Sequence, residues 1–200
     1  MKDVDAQFAP MPLINDPDET SVGGTSLEQA RQGDLTAFRE LLRMHKARVF
    51  SIALRFTGSR ADAEELAQDV FLKLHGSLAR IDGEAHLKHW LLRTVSHRCI
   101  DRMRQYSRQP QLVPIDALAE GLEPVAAEQG HDPLAGARLR RLLRELAPDA
   151  RMVMLLRFQE DLDPTEIASV LAIPVNTVKS HLRRSLHWMR GQLAGEDDGS

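Results

Sequence analysis

The chain has one cysteine, Cys99, in 200 residues, so no disulfide can close within it. It has no apolar run near the ~18 residues that a membrane span needs. Its opening residues, Met1-Lys2-Asp3-Val4-Asp5, lack the basic-then-apolar order of a signal peptide. These absences predict a cytoplasmic protein that does not insert into a membrane. Alternating apolar and polar residues, the mark of a half-buried strand, are missing throughout, which leaves an all-α fold. Also missing are a glycine-rich phosphate loop, a Gly-x-Ser-x-Gly elbow and a His-Glu-x-x-His pair. No catalytic residue and no cofactor is therefore expected. His86, His89, His97 and Cys99 do not make a metal site. His86 and His97 stand eleven residues apart on one expected helix, roughly 16 Å at the helical rise, whereas zinc ligands sit about 2.0–2.3 Å from the ion.

With 42% hydrophobic and 28% charged residues the composition is that of a soluble globular protein. The net charge of −3 conceals a strong segregation. Residues 1–26 are net −4 and contain Pro10, Pro12, Pro17 and the Gly23-Gly24 pair. They read as a mobile tail. Residues 27–108 are net +5 and residues 134–193 net +4. Between them, residues 109–133 hold five acids, no basic group and Pro110, Pro114, Pro124 and Pro133, the signature of a flexible linker. Residues 194–200 form a short acidic tail. Two basic blocks set among acidic segments point to a polyanionic partner.

Within the first block, Leu35, Phe38, Leu41, Leu42, Val49, Ile52, Ala53 and Phe56 recur at helical spacing, and Gly58 ends the run. Ser59, with Asp62 three residues on, opens a second helix carrying Ala63, Leu66, Ala67, Val70, Phe71 and Leu74. After a loop at Ile81-Asp82-Gly83, a third helix places Leu87, Trp90, Leu91, Val95 and Met103 inward. In the second block, Leu139, Leu142, Leu143 and Leu146 precede Pro148. Met152, Val153, Leu155 and Leu156 follow. Asp163-Pro164-Thr165-Glu166 is a helix start, with Asp as N-cap and Glu placed to reach back. That helix stops before Ala172-Ile173-Pro174, and another begins at once.

Two short helices joined by about three residues, the second one basic, describe a helix-turn-helix. With Val178, Leu182, Leu186 and Met189 inward, the second helix turns Asn176, Thr177, Lys179, Ser180, His181, Arg183 and Arg184 outward. These are residue types that meet phosphates and base edges in a major groove. Residues 85–108 carry Lys88, Arg93, Arg98, Arg102, Arg104 and Arg108 against the single acid Asp101, with His86, His89, Trp90 and His97 interleaved. Cationic groups beside rings suit single-stranded nucleic acid, although Trp90 also lies on the apolar stripe.

These residues resemble the extracytoplasmic-function (ECF) class of bacterial sigma factors. The resemblance rests on Asp34-Leu35-Thr36-Ala37-Phe38, on Ala63-Glu64-Glu65-Leu66-Ala67-Gln68-Asp69-Val70-Phe71, and on Trp90-Leu91 followed by Asp101-x-x-Arg104. In the second block it rests on Glu166-Ile167-Ala168 and Pro174-Val175-Asn176-Thr177-Val178-Lys179-Ser180. It covers residues 27–108 and 134–193 in the family's order. It implies a region 2-like domain and a region 4-like, winged-helix-like helix-turn-helix domain. It implies docking on core RNA polymerase (β and β′ subunits) through Glu65, Gln68, Asp69 and Phe71. It also implies capture of the separated minus-ten strand by Lys88, His89, Trp90, Arg93 and His97. Asn176, Thr177, Lys179, Ser180, His181, Arg183 and Arg184 would read the minus-thirty-five duplex of promoter DNA. An anti-sigma factor is the further partner implied. Where the family usually has Asn, Asp, Gly and Arg, this chain has His97, Glu65, Asn176 and His181. The competing reading is a stand-alone helix-turn-helix regulator, which has no need of the first block's motifs.

Overall fold

The computed structural model describes residues 23–108 and 133–197; residues 1–22, the span 109–132 that holds most of the expected linker, and residues 198–200 lie outside them. The described residues are helical, joined by short turns, with no strand among them. Helix α1 (Gly23–Arg31) begins inside the stretch read as a tail. Leu27 and Ala30, three apart, share a buried face that packs on later helices. Two apolar positions are too few for periodicity to announce.

Helix α2 (Leu35–Thr57) starts where Asp34 accepts hydrogen bonds from the amides of Thr36 (2.7 Å) and Ala37 (3.2 Å). It ends at Gly58, whose φ of 72° is the left-handed conformation that glycine adopts without strain. Leu35, expected on the inner stripe, is 61% exposed, while Ala37 in the same turn is buried. Helix α3 (Arg60–Ser77) is capped by Ser59, as the sequence predicts. A 3₁₀ turn (Leu78–Arg80) leads into α4 (Gly83–Arg108).

The second half comprises α5 (Pro133–Glu145), α6 (Pro148–Phe158), α7 (Pro164–Leu171) and α8 (Val175–Asp197). Leu139 is exposed, against expectation, while Leu142 carries the burial of α5. Helix α8 runs on past residue 193 into the stretch read as an acidic tail.

The two helical domains pack against one another: Leu41, Phe56, Leu87 and Val95 of the first fall in one apolar core with Met152, Leu156, Ile167 and Val170 of the second. Each such fully buried side chain contributes about 1.5–3 kcal/mol relative to exposure. Helix α4 is the middle layer, packed on α2 and α3 and also on α6 and α7. Arg151 closes the joint. Only 4% exposed, it donates to the carbonyls of Leu143 and Phe56 (both 2.9 Å), Leu146 (3.3 Å) and Arg144. Its guanidinium lies 5.3 Å from the Phe56 ring centre. One buried cation thus satisfies carbonyls at the C-terminal ends of α2 and α5, where helix dipoles are negative. Burial, with Arg144 nearby, pulls its pKa down to about 10.

Candidate nucleic-acid interface

The helix-turn-helix is built by local chemistry. Asp163 accepts from the amides of Thr165 (2.6 Å) and Glu166 (2.9 Å), and Glu166 accepts from the Asp163 amide (2.7 Å), closing a capping box. Ala172 takes a left-handed turn (φ 54°) that ends α7. The Thr177 and Val178 amides then bond the Pro174 carbonyl and start α8. Val178, Ser185 and Met189 are buried beneath α8. Asn176, Lys179, Arg183 and Arg184 are exposed, and Thr177, Ser180 and His181 half-buried. All seven predicted duplex-reading residues thus retain exposure on α8. From Asn176 to Arg184 they span about 12 Å, the width of a major groove. The first acid along α8 is Glu196.

The first-half candidates are placed differently. His89, Arg93 and His97 form a row at four-residue spacing along α4, and that row faces the C-terminal end of α7. His89 Nε2 lies 2.9 Å from the Ser169 hydroxyl. Arg93 donates to the Ser169 carbonyl at 3.4 Å, and His97 shares a hydrogen bond with the Val170 backbone. Burial, then the charge of Arg93 and proximity of His86, lowers the His89 pKa. His97 is exposed on one side and desolvated on the other. Desolvation, then Arg93, holds its pKa down; the Val170 bond and Asp101 oppose this, and Lys73 adds slightly to the lowering. Lys88 is half-buried one position before the row. Trp90 is 5% exposed within the core. Of the residues expected to contact the strand, it is the one whose ring the apolar stripe takes up.

On α3, Gln68 is exposed and Asp69 half-buried. Glu65 is held by Arg102 through two bonds, 2.6 and 3.0 Å, which keep its carboxyl below the usual range. Arg102 also reaches Asp62 (3.3 Å) and Tyr106 (3.4 Å), and Tyr106 donates to Asp62 at 2.6 Å. Nothing local announces this brace between α3 and α4, because its members on the two helices lie some forty residues apart. Phe71 packs against the core. Its neighbour Leu72, 65% exposed, is the apolar group this face presents.

Comparison with known proteins decides the family. The Sigma-70 region 2 family matches residues 41–109, and the Sigma-70 region 4 family matches residues 136–189. The ECF RNA polymerase sigma factor SigE of Mycolicibacterium smegmatis is 30% identical over 94% of this chain and 74% of its own length. The chain belongs to the ECF class of RNA polymerase sigma factors. The ECF sigma factor SigW of Bacillus subtilis is 27% identical over 84% of this chain and 94% of its own. Among solved structures, CnrH in complex with the cytosolic domain of CnrY has a TM-score of 0.61, at 22% identity over 86% of this chain and 96% of that one. The sigma factor RpoE of Bartonella quintana, solved with the anti-sigma factor NepR, has a TM-score of 0.62, at 21% identity over 80% and 98%. As an ECF sigma factor the protein directs RNA polymerase to promoters. Among the described residues no helix is long and apolar enough to cross a membrane.

Proposed function

We propose that this sigma factor divides promoter recognition between its halves. Residues 27–108 dock on core polymerase through the α3 face of Glu65, Gln68 and Asp69, with Leu72 supplying apolar area. The α4 residues Lys88, His89, Arg93 and His97 hold the separated minus-ten strand. Residues 134–193 read the minus-thirty-five duplex with the outer face of α8. The chain supplies no catalytic group; bond formation belongs to the polymerase. An anti-sigma factor is its expected regulator, and cytoplasm its expected location.

The observation that supports this reading best is the α8 face: about 12 Å of exposed donors and cations on a capped helix-turn-helix, with no acid from Val175 to Gly195. Four cations alone would suit any solvated helix. A groove-length row of Asn, Thr, Ser, His and Arg on the second helix of this motif suits DNA.

The test is binding of the purified chain to bacterial core polymerase, then transcription from a promoter pool. Tight binding and new start sites sharing upstream elements are expected. Failure to bind polymerase, together with operator binding by the chain alone, would instead make it a stand-alone regulator.

A further inference from the structure

On α3, Glu65, Gln68, Asp69 and Leu72 stand at i, i+3, i+4 and i+7, so they share one face of the helix. Both carboxylate oxygens of Glu65 are taken by Arg102 of α4, Oε1 by Nη2 at 2.6 Å and Oε2 by Nη1 at 3.0 Å. A forked pair of this kind fixes orientation as well as distance.

Arg102 is itself anchored on the inner side. Its Nη1 reaches Asp62 Oδ1 at 3.3 Å and the Tyr106 hydroxyl at 3.4 Å. Tyr106 donates to the same Asp62 oxygen at 2.6 Å, and the guanidinium lies 5.9 Å from the Tyr106 ring centre. Exposure rises outward along these contacts. The side chains of Asp62 and Arg102 are 11% and 17% exposed, and that of Glu65 is 60% exposed. A carboxylate has more lone pairs than one guanidinium can occupy, so Glu65 still has acceptor sites for a partner.

An ion pair with so exposed a member adds little to folding. What it removes is freedom. Glutamate has one more rotatable bond than the aspartate usual in the family at this position. Ordering a mobile side chain opposes association, and Arg102 has already ordered this one.

We propose that Arg102 is a positioning residue for polymerase docking: anchored by Asp62 and Tyr106, it presents the Glu65 carboxylate to a cationic group of core polymerase in the orientation that docking uses. Arg102 acts through Glu65 and not by touching the polymerase. This deepens the function proposed above and rests on its assignment of Glu65 to the polymerase.

The experiment is a double-mutant cycle, read as the Kd of the full chain for bacterial core RNA polymerase at fixed ionic strength. Glu65→Gln is expected to weaken binding about tenfold. Arg102→Ala is expected to weaken it about fivefold, the scale of one long side chain that binding must now order. In the Glu65→Gln background, Arg102→Ala is expected to add less than about twofold, because no carboxylate is left to present. Arg102→Lys keeps the charge without the fork, and is expected to bind within about twofold of Arg102→Ala. Tyr106→Phe keeps the ring but loosens the anchor, with a loss of about twofold that also vanishes in the Glu65→Gln background. Thermal melting reports the folding of each variant. Should Arg102→Ala unfold, the cycle with Tyr106→Phe decides.

Equal losses from Arg102→Ala in both backgrounds would reduce Arg102 to a structural role and overturn the positioning. Wild-type binding by Arg102→Lys would overturn it too, by showing that charge alone suffices. Binding by Arg102→Ala that is unchanged or tighter would make Arg102 a bystander or a competitor for Glu65. Failure of the underlying assignment looks different: Glu65→Gln would bind core polymerase as wild type does, and the positioning would fall with it.

Discussion

The two candidate nucleic-acid surfaces of this sigma factor have similar residue chemistry and opposite circumstances. On α8, Asn176, Lys179, Arg183 and Arg184 are exposed and Thr177, Ser180 and His181 keep part of their surface open. On α4 the row of His89, Arg93 and His97 is engaged by α7, eighty residues away along the chain in the case of His89 and Ser169. Cationic periodicity identifies a surface that can bind polyanion. Whether that surface is available is decided by tertiary packing, here by which helix end finds the cations first.

The largest expected effect sharpens the division between core and contact on α4. Trp90→Ala should destabilise the full chain by about 4 kcal/mol, the cost of deleting a large buried aromatic, in denaturant unfolding. Trp90→Phe, which keeps most of the apolar volume, should leave open-complex formation by the holoenzyme near wild type. A Trp90→Phe variant that folds normally but cannot open promoters would return the ring to the strand-contact set.

Next is the joint that brings the surfaces into one body. Arg151→Ala removes a buried guanidinium from four carbonyl partners on two helix ends. Unpaired buried acceptors cost about 1–3 kcal/mol each, partly relieved by water entering the gap. A loss of about 3 kcal/mol is expected, read by denaturant unfolding. If stability falls by under about 1 kcal/mol, Arg151 does not join the halves.

Arg184→Ala tests the open surface. It is exposed, so folding should be unaffected. A base-edge contact is worth about 1–3 kcal/mol, so transcription from promoters that depend on their upstream element should fall about tenfold or more. Equal loss on promoters with the upstream element scrambled would make Arg184 a phosphate contact only.

Much of this architecture was legible locally. Ser59 and the Asp163–Glu166 box each carry their cap in a few consecutive residues, and the structure uses both. The outward face of α8 followed from the spacing of Val178, Leu182, Leu186 and Met189. What was illegible depended on residues far apart. Among the described side chains of α1, Leu27 and Ala30 are the buried ones. Leu72 lies off the apolar stripe of α3, and its exposure beside Glu65, Gln68 and Asp69 shows only in the packed helix. Ser169 and Arg151 looked like ordinary helix residues until carbonyls and hydroxyls from the other half came within reach.

The smallest expected effect is a dependence of closure on pH. His89 in the closed chain has a lowered pKa, chiefly from burial against α7, then from Arg93 and His86 on its own helix. Only the burial is relieved when α7 leaves. His97 is lowered by desolvation and Arg93 and raised by its Val170 bond and Asp101, with Lys73 on α3 acting weakly; opening removes terms of both signs, so its net contribution is small. A histidine whose closed-state pKa lies below its open-state value favours closure above the ordinary value of about 6.5, where it is neutral in both states. That preference is lost as pH falls, because the open state binds the proton more readily. Energy transfer between dyes on cysteines introduced at the exposed positions Ala79 and Gln192 should therefore decline modestly from about pH 7.5 to about pH 5.5, a window that brackets about 6.5, and His89→Gln should flatten the decline. A decline that persists unchanged in His89→Gln would assign the proton to another group, and transfer that rises on acidification would contradict the placement of His89 against Ser169.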